Sequence, residues 1–233
     1  MIYAFIPARS GSARLKDKNF LMLKEKRLFE WSIDTANSAK SIEKIIFSSD
    51  SKKYIDYASS LKLKKELIID NRSDLNSSDN TKIYDYLKGD FLQNNSFINE
   101  NDSLVMLLPT QPFREINDVE NIIKLGIENN CNYFSSRKFS FHVSFAFEIL
   151  SNGDFKELFE NSPLQTGNTR SQDQIPYFHP DGSVYFITVH SLMNSSSNSV
   201  YFNSRPYKST SKYFVDIDDI SDFEYAEKLS KLI

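Results

Sequence analysis

Apolar residues in this chain fall in short runs of strand length, alternating with segments whose apolar residues lie three and four positions apart. Ile2 to Ile6, Lys44 to Phe47, Glu66 to Ile69, Ser103 to Leu108, Tyr133 to Ser136, Ser183 to Ile187 and Tyr213 to Ile217 are the strand candidates, most of them rich in Ile, Val, Phe and Tyr. Between them the spacing predicts helices over about residues 28–38, 51–61, 80–92, 117–129 and 221–232. This alternation predicts an α/β protein with a mainly parallel sheet covered on both faces. Asn117 with Glu120, and Ser221 with Glu224, have the spacing of a capping box. Val119, Ile122, Ile123 and Ile127 share a face of one helix, and Phe223, Ala226 and Leu229 a face of the other, so both stripes read as core.

From about residue 137 to 177 the alternation fails. An aromatic cluster, Phe139 to Phe147, is followed by a polar run from Asn161 to Gln174. The segment reads as an insertion or arm within one domain spanning residues 1–233, a length that one large core accommodates. The exposed aromatics predict a partner surface, and a two-fold homodimer is the commonest closed assembly.

Composition removes several classes of function. Lys and Arg total 28 against 31 Asp and Glu, a formal charge of -3, which provides no cationic field for a nucleic-acid backbone. The single cysteine, Cys131, has no partner for an internal disulfide and no metal-ligand spacing around it. Ile2 to Ile6 runs straight into Pro7, far short of a membrane span and without a cleavage-like end, so no membrane partner and a cytoplasmic location are expected.

Two segments carry chemistry. The first strand opens into Pro7-Ala8-Arg9-Ser10-Gly11-Ser12-Ala13-Arg14-Leu15-Lys16-Asp17-Lys18-Asn19, placed where open parallel sheets bind ligands. Its spacing is neither a P-loop nor a dinucleotide fingerprint. Gly11 would let backbone amides approach a triphosphate that Arg9, Arg14 and Lys18 neutralise, although the same composition also suits a solvated basic loop. Near the other end, Val215-Asp216-Ile217-Asp218-Asp219 precedes a helix, and strand alternation puts Asp216 and Asp218 on one face. Two such carboxylates suit magnesium together with substrate phosphates, and they equally suit the N-terminus of the next helix.

Taken in order, these segments resemble the acylneuraminate cytidylyltransferase (CMP-sialic acid synthetase) family, with its legionaminic and pseudaminic acid relatives. The likeness runs nearly end to end: Ile6 to Ser12 with Arg14-Leu15 and Lys18-Asn19, Phe47-Ser48-Ser49-Asp50-Ser51, Leu107 to Arg114, Asp181-Gly182-Ser183-Val184-Tyr185 and Val215 to Asp218. The resemblance implies a three-layer, Rossmann-like nucleotide-diphosphosugar-transferase fold with a mainly parallel mixed sheet and a dimerisation arm. It implies a nucleotidyltransferase that couples a nine-carbon 2-keto sugar acid to CMP from CTP, releases pyrophosphate and uses Mg2+ or Mn2+. An eight-carbon substrate, as in Kdo cytidylyltransferases, and a non-catalytic sugar- or nucleotide-binding descendant are the rival readings.

Carried over by position, the catalytic residues would be Arg9, Lys18, Asp216 and Asp218, the last two also holding the metal. Ser10, Gly11, Ser12 and Arg14 belong to the same triphosphate loop. Asn19, Arg72 and Ser78-Asp79-Asn80-Thr81 would bracket the cytosine and ribose. Thr110, Asp181 and Gly182 complete the substrate side, where Arg170 would face the acidic sugar. Ala13 stands at a family lysine, Lys16 at a proline, Asp181 at an asparagine and His179 where an arginine is common. Leu108 replaces a glutamine on the sugar side, a loss that suggests another sugar, another pose or reduced activity.

Overall fold

The computed structural model describes residues 1–73, 75–77 and 81–233. Strands are β1 (Ile2–Pro7), β2 (Met22–Leu23), β3 (Lys26–Arg27), β4 (Lys44–Ser49), β5 (Leu67–Asn71), β6 (Ser103–Met106), β7 (Asn132–Lys138), β8 (Phe147–Ile149), β9 (Phe155–Glu157), β10 (Phe178–Thr188) and β11 (Ser204–Lys208). Helices are α1 (Leu28–Ser38), α2 (Lys52–Ser60), α3 (Ile83–Tyr86), which continues through a π turn at Leu87–Phe91 into α4 (Leu92–Asn94), α5 (Ile116–Asn129), α6 (Pro163–Thr166), α7 (Val189–Asn194) and α8 (Ile220–Ser230). Seven strands form one sheet in the order β11-β7-β10-β6-β1-β4-β5. β6, β1, β4 and β5 are mutually parallel, and β10 runs antiparallel to β6. The sheet is therefore mixed.

Alternation along the strands builds a core on each face. Ala4, Ile6, Ile45, Phe47, Val105, Val184 and Phe186 pack with residues of α1, α2 and α5. Tyr3, Phe5, Ile46, Leu104, Met106, Tyr185 and Ile187 pack with α3, the π turn and α7 on the other side. The α5 helix comes unusually near the sheet, because a Cβ on Gly126 would lie 2.3 Å from two ring carbons of Phe186. With Gly126 turned inward, Ile127 is rotated about 100° away from that face and is 58% exposed, contrary to its expected place in the core stripe.

Neither capping box forms at the expected pair of residues. α5 begins after Glu115 without a side-chain cap, and Glu120 instead accepts hydrogen bonds from the Ser41 N–H and hydroxyl. α8 is capped by Asp219, which accepts from the Asp222 N–H (3.1 Å), while Asp222 accepts from the Asp219 N–H (3.1 Å). The expected strand over Tyr213 to Ile217 joins no ladder among the described residues, although burial alternates from Val215 to Asp218; the Ile217 N–H is tied to the Thr110 carbonyl (3.0 Å). Its approach is fixed upstream by buried Asp118, which accepts from Tyr207, Ser209, Thr210 and Ser211. These donors hold the Asp118 carboxyl below the usual carboxylate range despite the opposing effect of burial.

Residues 136–180 form a second compact unit. Within it, β8 and β9 make an antiparallel hairpin, Ser162 caps α6, and the Ser162 hydroxyl donates to the Ser144 carbonyl (2.9 Å). Phe141, Ile149 and Ile175 are each at least 70% exposed. Among the described residues, no helix is long and apolar enough to cross a membrane.

Candidate active site

The ends of parallel strands β1, β4, β5 and β6 meet at one edge of the sheet, and local bonds shape the segment after each strand. After β1, the Ala8 N–H donates to the Ser48 carbonyl (2.8 Å), and the Ser49 hydroxyl donates to the Ala8 carbonyl (2.7 Å). Ser10 donates to the Asp50 carboxylate through its N–H (2.8 Å) and its hydroxyl (2.7 Å). From the far side of the loop, Asn19 Nδ2 donates to the Arg9 carbonyl (3.0 Å). Asp17, in the left-handed region at φ 52°, turns the chain into a short 3-10 turn that begins with Lys18, and accepts from the Tyr54 hydroxyl (3.0 Å).

After β5, Arg72 folds back over the strand ends. Its N–H donates to the Ser49 carbonyl (2.9 Å), Nη2 donates to the Ser48 carbonyl (3.2 Å), and its guanidinium lies 5.7 Å from the centre of the Tyr86 ring. Burial lowers its pKa, but an arginine so placed remains a cation. After β6, Arg114 locks the Leu107 to Arg114 segment. It donates from Nε to the Ser183 carbonyl (3.0 Å), from Nη1 to the Ser32 hydroxyl (2.8 Å) and from Nη2 to the Leu108 carbonyl.

These elements enclose a cavity of about 270 Å³. Of the residues expected at the site, it brings together Arg9, Gly11, Ser12, Lys18, Asn19, Arg72, Thr81 and Thr110. Leu108, expected on the sugar side, is on the same wall, and Asn76, Ile83 and Pro109 join it with no sequence signal for the site. Ser78, Asp79 and Asn80 lie outside the described residues. Ser10 is not on the wall, since its two donors are spent on Asp50. That carboxylate follows Ser48-Ser49 at the end of β4, a segment of the family resemblance whose part in holding the loop only the fold reveals.

Asp181 and Gly182 are also off the wall. Asp181 is buried and accepts from the Ser135 hydroxyl and the Ser183 N–H (3.0 Å). Gly182, at φ 75°, has the left-handed backbone that favours glycine and passes close to the Gln111 side chain. Arg170 belongs to the 136–180 unit, where it is exposed and its Nε lies 3.9 Å from Asp173.

The distant carboxylates reach this edge through ion pairs. Asp218 Oδ1 lies 3.0 Å from Lys18 Nζ, and Oδ2 lies 2.8 Å from Arg14 Nη2. Val215 and Ile217 are buried while Asp216 and Asp218 face outward, as alternation predicts. Neither carboxylate caps α8, which is the work of Asp219. Lys18 and Arg14 hold Asp218 below the ordinary carboxylate range, outweighing desolvation. Asp216 is raised instead, chiefly by desolvation in a crowded neighbourhood and further by the charge of Asp218, with Thr110 and Lys18 opposing. More than a third of its surface still meets solvent.

Two acidic groups, one destabilised as an anion, form a donor set that a hard cation would relieve. Among the described residues no three His, Cys, Asp or Glu cluster in a way that could hold a metal ion. The set therefore fits a cation that takes most of its oxygens from a phosphate ligand or water, and does not fit an all-protein cage.

Comparison with known proteins supplies a family. The sequence model of the family described as "Cytidylyltransferase" matches residues 3–232. The N-acylneuraminate cytidylyltransferase of Escherichia coli is 27% identical over 97% of this chain and 51% of its own length. The CMP-N,N'-diacetyllegionaminic acid synthase of Legionella pneumophila is 29% identical over 99% of the chain and 97% of the relative. The pseudaminic acid cytidylyltransferase of Campylobacter jejuni is 27% identical over 97% and 95%. The chain thus spans about half the length of the E. coli protein and nearly all of the other two. Among solved structures, CMP:2-keto-3-deoxy-manno-octonic acid synthetase complexed with CTP superposes with a TM-score of 0.69 at 16% identity, covering 99% of this chain and 98% of that one. That likeness is one of fold.

Proposed function

This chain belongs to the cytidylyltransferase family, and from that premise we propose that it couples a sialic-acid-like nine-carbon 2-keto sugar acid to CMP from CTP, releasing pyrophosphate. The observation that carries the reading is the Arg14–Asp218–Lys18 junction, which joins the basic loop after β1 to the carboxylates before α8 beside one cavity. The anomeric hydroxyl attacks the α-phosphorus in line and pyrophosphate leaves. Negative charge develops on the phosphoryl oxygens, and Arg9 and Lys18 meet it as fixed cations. Asp216 and Asp218 would hold Mg2+ or Mn2+, which would supply further charge stabilisation at the phosphates.

Nucleobase choice follows from Asn19. Its Nδ2 is committed to the Arg9 carbonyl, leaving Oδ1 buried and without a hydrogen-bond partner among the described residues. An acceptor in that position suits the exocyclic amine of cytosine and disfavours the carbonyl of uracil. Calorimetry is expected to show CTP binding in preference to UTP, ATP and GTP; equal affinity for any of these would remove the nucleotide half of the reading. Pyrophosphate release from CTP with a panel of eight- and nine-carbon sugar acids tests the other half. Release with a nine-carbon acid supports it, and release only with the eight-carbon acid moves the assignment to the Kdo type.

The exposed Phe141, Ile149 and Ile175 of the 136–180 unit support a homodimer formed through that unit. Sedimentation should give a dimer at micromolar concentration, and a monomer there would count against it.

A further inference from the structure

Tyr54 is fully buried in α2, and it holds the turn that carries Lys18 from both sides. Its hydroxyl donates to Oδ1 of Asp17 (3.0 Å), the residue before Lys18. Its ring stacks on Phe20, two residues after Lys18, with centroids 5.0 Å apart and planes 9° from parallel. Lys53, the preceding residue of α2, lies 3.7 Å from Asp17 Oδ2 and 4.1 Å from the centre of the Phe20 ring. Arg27 reaches the same ring from β3, also at 4.1 Å. Burial first, and then the carboxylates of Asp17 and Asp50, push the phenol pKa up, so the hydroxyl keeps its proton and stays a donor.

Asp17 is a residue that needs such a tie. Its backbone is left-handed at φ 52°, a conformation that costs any residue with a Cβ. Its carboxylate belongs to the same loop as Arg14 and Lys18, the two cations paired with Asp218. An untethered anion there would compete with Asp218 and with a phosphate for those cations. Instead both oxygens of Asp17 are drawn to α2, one by Tyr54 and the other by Lys53. Four residues before Tyr54, Asp50 holds Ser10, so the start of α2 grips the basic loop near both of its ends. Resting on the assignment of Lys18 to the nucleotide phosphates, we propose that Tyr54 is a positioning residue: through its hydrogen bond to Asp17 it sets the place of the Lys18 ammonium, and so acts on nucleotide binding from outside the cavity.

The test measures the CTP affinity of the full chain by calorimetry with magnesium present. Tyr54→Phe keeps the ring and its stacking, and should weaken CTP binding roughly fivefold while moving the melting temperature by no more than about 4 °C. Asp17→Gly suits the left-handed turn but cannot accept the hydrogen bond, and should lose as much. Asp17→Asn still accepts from the hydroxyl and tolerates the same backbone, so it should stay within about twofold of the wild-type affinity, which separates the hydrogen bond from the charge. In a Lys18→Met background Tyr54→Phe should have almost no further effect, whereas a merely structural role would cost the same factor in both backgrounds. Undiminished affinity in folded Tyr54→Phe and Asp17→Gly variants, or an equal loss from Tyr54→Phe with Lys18 absent, overturns the proposal. Failure of the wild-type chain to bind CTP would instead overturn the nucleotide reading itself, and the proposal with it.

Discussion

Replacing Asp216 by Asn is expected to slow pyrophosphate release by roughly a hundredfold or more, since several kcal/mol of charge stabilisation would be lost at about 1.4 kcal/mol per tenfold. The same change should raise the melting temperature of the metal-free protein at neutral pH. Asp216 is an anion in a crowded setting beside Asp218, and its pKa is raised in the folded state. For an acid shifted upward, the folded state binds the proton more tightly than the unfolded chain does. Stability from this group is therefore present at low pH and lost as pH rises through the folded-state value. The asparagine variant should gain most above that value and little below it. Asp218→Asn should behave differently, because Asp218 is already paired with Lys18 and Arg14 and its pKa is lowered. It should lose activity without the gain in melting temperature. Unchanged turnover in both variants would sink the assignment of these carboxylates to the phosphate-bound cation.

The second large effect is expected at Arg114, whose replacement by Met should cost about 3 to 5 kcal/mol of stability. The residue is buried, and its guanidinium serves the Ser183 carbonyl, the Ser32 hydroxyl and the Leu108 carbonyl together. Burial pushes its pKa down to about 9, with nearby Asp181 opposing. The side chain thus carries a desolvation cost that methionine would not. The loss still dominates, because methionine leaves two carbonyls and the buried Asp181 carboxylate without their cationic partner. Lysine should rescue little, since an ammonium cannot reproduce the planar fork. Urea unfolding would measure the change directly, with a drop in melting temperature on the order of ten degrees. A loss below about 1 kcal/mol, the level of an ordinary exposed substitution, would mean that these hydrogen bonds do not hold the segment.

How far the sequence could be read depended on whether a property was local. β1 and β4 were legible because strands buried on both faces appear as unbroken apolar runs, and Tyr3 to Ile6 are fully buried. The outward placing of Asp216 and Asp218 was also legible, even though the segment is not a strand, because apolar and acidic residues alternate there and burial follows them. Both helix starts fall within a residue of their expected places, while the capping partners differ where a competing partner settled the matter. Glu120 is taken by Ser41 from another element, and Asp219 with Asp222 repeats the spacing of Ser221 with Glu224 two residues earlier, beside the anchored Ile217. Asn76 and Ile83 reach the cavity only through the path of the chain after β5, which no short-range pattern encodes. Ser10 was misread for the opposite reason. Its type and position suit a phosphate, and only the fold reveals that Asp50 has claimed it.

That claim by Asp50 bears on binding entropy. Ala8, Arg9 and Ser10 are tied by the fold's own hydrogen bonds to β4, to Asn19 and to Asp50. Fixing a backbone residue costs about 1 to 2 kcal/mol, and for these three the cost falls on folding and not on association. A preorganised loop lets most of the attraction between its cations and a triphosphate appear as affinity. It also means that a mutation at Asp50, a residue off the cavity wall, would loosen the loop and weaken the grip on nucleotide from behind.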